Sequence, residues 1–171
     1  ERVWEPYLPK PLAEAGVRYV LLDDAQFKIN GLKDEELTGY YNTEEQGHVI
    51  SVFPVNERLR YLIPFHPPEE TIQYLLSFAD CGGKRMLMMG DDGEKFGVWP
   101  ETYDSVYRQG WLERFFGMLE QHEEQIRMIT TSEYLDQFPA VGNVYLPTAS
   151  YREMMEWALA ADDAYELEAA E

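Results

Sequence analysis

The chain has 171 residues, 45% of them hydrophobic and 27% charged, which is enough apolar material for one buried core and ordinary for a globular domain. Its 14 Lys and Arg stand against 32 Asp and Glu, a formal net charge of -18 that repels phosphate backbones and anionic lipid faces and so argues against nucleic acid and membrane partners. A lone cysteine, Cys81, rules out an internal disulfide and a thiolate metal site and fits a reducing, cytoplasmic compartment, and the longest apolar runs, 19–22 and 86–89, are too short to cross a bilayer.

Residues 9–16 read as a short helix that stops at Gly16. Residues 17–22 form a β-rich apolar run ending in Asp23 and Asp24, the pattern of a buried parallel strand that delivers polar groups at its carboxyl end. Residues 25–47 are polar and irregular and read as a long functional loop. Alternation over 48–53 and an apolar run over 60–65 predict two further strands. Pro67 and Pro68 open a helix with Glu69 and Glu70 in its first turn and Ile72, Leu75, Leu76 and Ala79 on one face, ended by Gly82 and Gly83.

Residues 85–89 predict the next strand, terminated by Gly90, Asp91, Asp92 and Gly93. A helical pattern follows Pro100 through Trp111, Leu112, Phe115, Phe116 and Leu119. Residues 126–129 read as a short strand, a brief helix begins at Ser132, residues 143–146 make a last strand, and 149–171 are helical and acidic. Strands alternating with helices predict an α/β barrel or a doubly wound sheet. Trp4, Trp111 and Trp157 read as core residues.

The chemistry concentrates in residues 90–100. Three carboxylates, Asp91, Asp92 and Glu94, fall within four positions between Gly90 and Lys95, and Trp99 follows. An acid cluster beside an indole suits a ligand with polar edges and an apolar face. Asp23 with Asp24 reads equally as a ligand-side pair or as caps of the next turn. His48, His66 and His122 stand alone, without a partner at metal-ligand spacing, so no metal is expected. No nucleotide fingerprint or nucleophile elbow is present, and no cofactor is implied.

The run Asp91-Asp92-Gly93-Glu94-Lys95-Phe96-Gly97-Val98-Trp99-Pro100 resembles the fourth conserved region of glycoside hydrolase family 57, and Glu1-Arg2-Val3-Trp4 with Pro6 is similar to the family's third region. Similar material in Asp23-Asp24, in 59–65 and in 144–151 with Trp157 extends the likeness over nearly the whole chain.

The resemblance implies a retaining enzyme of the 4-α-glucanotransferase and α-amylase type, acting on α-1,4-glucans or maltooligosaccharides, with Glu1 as nucleophile and Asp92 as general acid and base, which leaves Asp91 as a turn acid. Beside that pair, Trp99 reads as a stacking platform for a sugar ring or as packing, Glu94 as orienting Asp92, meeting a sugar hydroxyl or standing solvated in the turn, and Asp24 as a substrate contact or a cap. The implied fold is part of an incomplete (β/α)7 TIM-like barrel over residues 1–146, followed by the start of a helical segment over 147–171. With Glu1 in place of an initiator methionine and two of the family's regions expected before it, the chain reads as a piece truncated at both ends, inactive and poorly stable alone because half a barrel leaves two open sheet edges. Two rival readings stand beside this one: a metal-dependent polysaccharide deacetylase of related barrel fold, and a non-catalytic glucan-binding remnant. No feature of the sequence sets an oligomeric state.

Overall fold

Along residues 19–22 the side chains alternate between two apolar environments. Val20 and Leu22 pack with Trp4, Phe27, Ile50, Val52 and Leu146 on one face, and Tyr19 and Leu21 pack with Tyr40, Phe53 and Tyr134 on the other. A strand apolar on both sides is thereby covered on both sides. The computed structural model describes residues 2–169. Its sheet has four strands, β1 (Tyr19–Asp23), β2 (Tyr41–Glu45), β3 (His48–Val55) and β4 (Gly142–Asn143), in the order β1-β3-β2-β4. β1 runs parallel to β3 with Asp23 opposite Val55, β2 and β3 form an antiparallel hairpin, and β4 runs parallel to β2. The sheet is mixed and open.

The described residues also form eight α-helices: α1 (Pro9–Glu14), α2 (Asp24–Ile29), α3 (Glu57–Leu62), α4 (Pro68–Leu76), α5 (Trp111–Gln121), α6 (Thr131–Gln137), α7 (Arg152–Trp157) and α8 (Ala161–Glu168). α4 and α5 enclose a separate apolar cluster of Leu59, Ile63, Ile72, Trp111, Phe115 and Leu119. Trp4 and Trp111 are buried as the sequence predicts, whereas the Trp157 side chain lies outside the described residues.

Several expectations are corrected. Residues 60–65 are not a strand: Asn56 caps α3 by accepting from the Leu59 N–H at 3.0 Å, and the helix ends as Ile63, extended ahead of Pro64, leaves the helical region. The stretch 25–47 is not a loop throughout, because it holds α2, a short 3-10 turn (Asp34–Glu36) and β2. β2 is polar in sequence, yet Tyr41 and Thr43 point inward, and Gln46 (φ 52°) with Gly47 (φ 80°) makes the two-residue turn that returns the chain as β3. Residues 126–129 form no strand. Residues 85–89 touch the sheet through a single parallel bridge, Met88 to Val55, and the last predicted strand is regular only over Gly142–Asn143.

That single bridge matters for the site. Because Met88 runs parallel to Val55, and Val55 lies opposite Asp23, the segment 90–92 emerges at the same edge of the sheet as the ends of β1 and β3. Gly90 permits the crossing: a Cβ there would come within 3.3 Å of the Val55 side chain and 3.9 Å of Leu21.

Candidate active site

At the carboxyl edge of the sheet, five charged side chains alternate in sign. The Arg2 guanidinium lies 3.3 Å from Asp23 Oδ2, Arg60 Nη1 reaches the same oxygen at 3.7 Å, and Arg60 Nε stands 3.5 Å from Asp91 Oδ1. Lys95 Nζ pairs with Asp91 Oδ2 and donates to the Arg60 carbonyl at 2.6 Å. Its two acids and its lysine are secluded from water, and its two arginines are partly so. Asp91 and Lys95 side chains are 1% and 4% exposed, and Asp23 is 3% exposed. Burial pushes the Asp23 carboxyl above the ordinary carboxylate range; the Ala25 N–H, which it accepts as the cap of α2, and the cations Arg2 and Arg60 work against that rise, while Asp24 adds to it.

Asp91 is fixed by these cations, and its Oδ1 also accepts the Asp92 backbone N–H at 2.9 Å. Asp92 itself projects from this anchored turn and is exposed. Residues Gly93–Lys95 close a 3-10 turn, and the Glu94 carbonyl accepts from the N–H groups of Val98 and Trp99 at 2.9 and 3.0 Å, folding the loop back on itself. Gly97, at φ 117°, lies so near Tyr107 that a Cβ would come within 2.9 Å of its ring. Trp99 stacks on Phe65 at 6.2 Å and 18°, with Lys95 Nζ 5.6 Å from the indole centroid, and remains 38% exposed. Glu94 is exposed beside it.

Asp24 faces elsewhere. Its Oδ2 accepts from Lys28 Nζ at 3.0 Å and from the Glu57 N–H at 3.2 Å, while its Oδ1 is buried without a hydrogen bond. It lines a cavity of about 490 Å³ together with Glu57, Tyr61, Tyr74 and Phe78. Burial and the nearby Asp24 and Asp23 raise the Glu57 carboxyl above its usual range. Burial alone would lower Lys28, but hydrogen bonds to Asp34 and Asp24 hold its ammonium well above the ordinary lysine value.

The structure thus brings Asp92, Glu94 and Trp99 onto one loop and sets Asp24 at the neighbouring strand end. Glu1 lies outside the described residues. Among those described, no three His, Cys, Asp or Glu side chains are grouped so as to hold a metal ion. Sequence reasoning missed Arg2, Arg60 and Lys95; the one local signal was the i,i+4 spacing of Asp91 and Lys95. An exposed carboxylate over a buried ionic row, beside a partly exposed indole, is equipped to exchange a proton with a ligand held on an apolar face.

Comparison with known proteins decides the lineage: the sequence profile of glycosyl hydrolase family 57 matches residues 1–147. The chain belongs to that family. Among its relatives, alpha-amylase 1 of Dictyoglomus thermophilum is 51% identical over 98% of this chain and 24% of its own length. The 4-alpha-glucanotransferase of Thermococcus litoralis is 52% identical over 96% of this chain and 25% of its own length. A crystal structure of that 4-alpha-glucanotransferase superimposes with a TM-score of 0.91, covering 95% of this chain and 26% of the solved one. The chain spans about a quarter of the length of the family 57 relatives it matches. No helix among the described residues is long and apolar enough to cross a membrane.

Proposed function

We propose that the chain is the part of a retaining α-1,4-glucan enzyme that carries both catalytic carboxylates, Glu1 as nucleophile and Asp92 as general acid and base. In the first step the Asp92 carboxyl gives its proton to the glycosidic oxygen while the Glu1 carboxylate attacks the anomeric carbon. The C–O bond breaks, the shortened glucan leaves as an alcohol, and a glucosyl ester remains on Glu1. In the second step the Asp92 carboxylate takes the proton of an incoming hydroxyl, which attacks the same carbon and frees Glu1. A sugar hydroxyl gives transfer and water gives hydrolysis. We favour transfer, with Trp99 and Glu94 binding the substrate and Asp24, its carboxylate buried against Lys28 and the Glu57 N–H, contributing from the adjacent strand end only through those partners. The open sheet is, in this reading, part of an incomplete (β/α)7 barrel over residues 1–146 with a helical segment after it. The protein acts in the reducing cytoplasm, without nucleic acid or membrane partners.

The observation that carries the reading is the exposed Asp92 on a loop anchored through buried Asp91 and flanked by Trp99, in a family 57 chain half identical to named glucan enzymes. The test is Asp92→Asn in a protein spanning the relatives' full length, with maltotriose as substrate. Turnover is expected to fall by about 10²–10⁴-fold, the usual contribution of a positioned acid and base. Retained turnover removes Asp92 from the role. The 171 residues alone are expected to be inactive, since β1 and β4 leave both sheet edges unpaired; glucan turnover by the isolated segment would contradict this.

A further inference from the structure

We infer that Arg60 is a positioning residue for the general acid, holding the Asp91-Asp92 turn against the fixed end of β1. The inference rests on the assignment of Asp92 given above. Asp23 closes β1 in full register with β3, and its carboxylate both caps α2 and pairs with Arg2, so it is held by three elements at once. The turn that presents Asp92 is closed locally, by the Lys95 N–H donating to the Asp92 carbonyl at 3.3 Å and by Lys95 Nζ pairing with Asp91 Oδ2, but neither contact reaches the end of β1. After Met88, where the Asn56 N–H donates to the Met88 carbonyl at 2.8 Å, the backbone makes no further pairing with the sheet. What ties it down is Asp91, whose Oδ1 accepts the Asp92 N–H at 2.9 Å and faces Arg60 Nε at 3.5 Å. The Arg60 side chain thus spans from Asp23 Oδ2 to Asp91 Oδ1, and its own carbonyl accepts from Lys95, the other partner of Asp91.

Stability alone is a weak reason for such a residue. Arg60 Nε is a buried donor without a hydrogen bond, which carries a desolvation cost, and buried ion pairs often fail to recover theirs. A planar guanidinium is nevertheless the side chain that can face two carboxylates on different segments at one time. A lysine ammonium is a point charge on a flexible stem and keeps the charge without the span. Arg60 itself is fixed, because α3 is capped by Asn56 and buries Leu59 and Leu62.

The experiment uses Arg60→Lys in a protein spanning the relatives' full length and compares kcat/KM for maltotriose with that for α-maltotriosyl fluoride. Fluoride leaves without a proton, so the second substrate makes little demand on the acid. A misplaced Asp92 should lower kcat/KM for maltotriose by about 10- to 100-fold and for the fluoride by less than about threefold. Equal losses on both substrates, as partial misfolding would give, overturn the inference, and so does a maltotriose value within about twofold of the parent. If the lysine variant does not fold, Arg60→Gln serves: it leaves the Asp91–Lys95 pair in place, removes the bridge to Asp23, and should show the same asymmetry. Asp92→Asn is measured in parallel. Full activity there overturns the parent assignment, whereas an inactive Asp92→Asn beside an unaffected Arg60→Lys overturns the inference alone.

Discussion

Trp99 and Lys95 divide the labour on the 90–100 loop. The Lys95 ammonium is buried against Asp91 and sits 5.1 Å from the Phe65 ring and 5.6 Å from Trp99, so a cation underlies the two aromatic side chains. Trp99 lies nearly parallel to Phe65 and keeps 38% of its surface exposed. If that surface receives a glucose ring, Trp99→Ala loses about 0.5–1.5 kcal/mol of stacking, a rise in the KM for maltotriose of about two- to tenfold, and Trp99→Phe recovers part of it. An unchanged KM in the alanine variant would return Trp99 to a packing role. This loop was the part of the site most legible in sequence, since the acids, the glycines and the indole all fall within eleven consecutive positions.

The elements were legible where one local rule decided them. α4 follows from Pro68 with Glu69 and Glu70 in the first turn, α5 from its apolar spacing, and β1 and β3 from their β-rich runs. α3 is hard to read because the short apolar run 60–65 fits a strand as well as a helix, and the signal that separates them, the cap at Asn56, lies upstream of it. β2 was missed because a strand paired on both sides can still be polar where its outward residues meet water. α6 starts slightly earlier than Ser132 suggested, since Thr130 and Glu133 form a capping box.

That box gives α6 a pH dependence. The Thr130 backbone N–H, first, and its hydroxyl donate to Glu133 Oε2 at 3.0 and 2.7 Å and hold the carboxyl below its ordinary value. A lowered folded value means that the cap contributes fully above the unfolded glutamate value of about 4.3 and is lost as pH falls through the folded one. NMR titration should therefore place the Glu133 midpoint below that of an unstructured glutamate, and Thr130→Val should raise it part of the way. An ordinary midpoint in the parent protein would show that the box does not persist in solution.

At the scale of the whole molecule, the site depends on what the topology brings together. Arg2, Asp23, Arg60 and Asp91 are widely separated in sequence and meet only because the ends of β1 and β3 and the segment after Met88 share one edge. No spacing rule links them, so this row was illegible, whereas the acids it supports were not. The family relation explains why the motifs carried so far: half the positions are identical in alpha-amylase 1 and in the 4-alpha-glucanotransferase, over nearly the full chain. The proposal that Glu1 and Asp92 perform a double displacement is tested most directly by trapping the ester. In a protein spanning the relatives' full length, 5-fluoro-α-glucosyl fluoride is expected to leave one covalent sugar, and peptide mass spectrometry should find it on Glu1. A sugar on any other residue, or products of inverted anomeric configuration with no adduct, would contradict it.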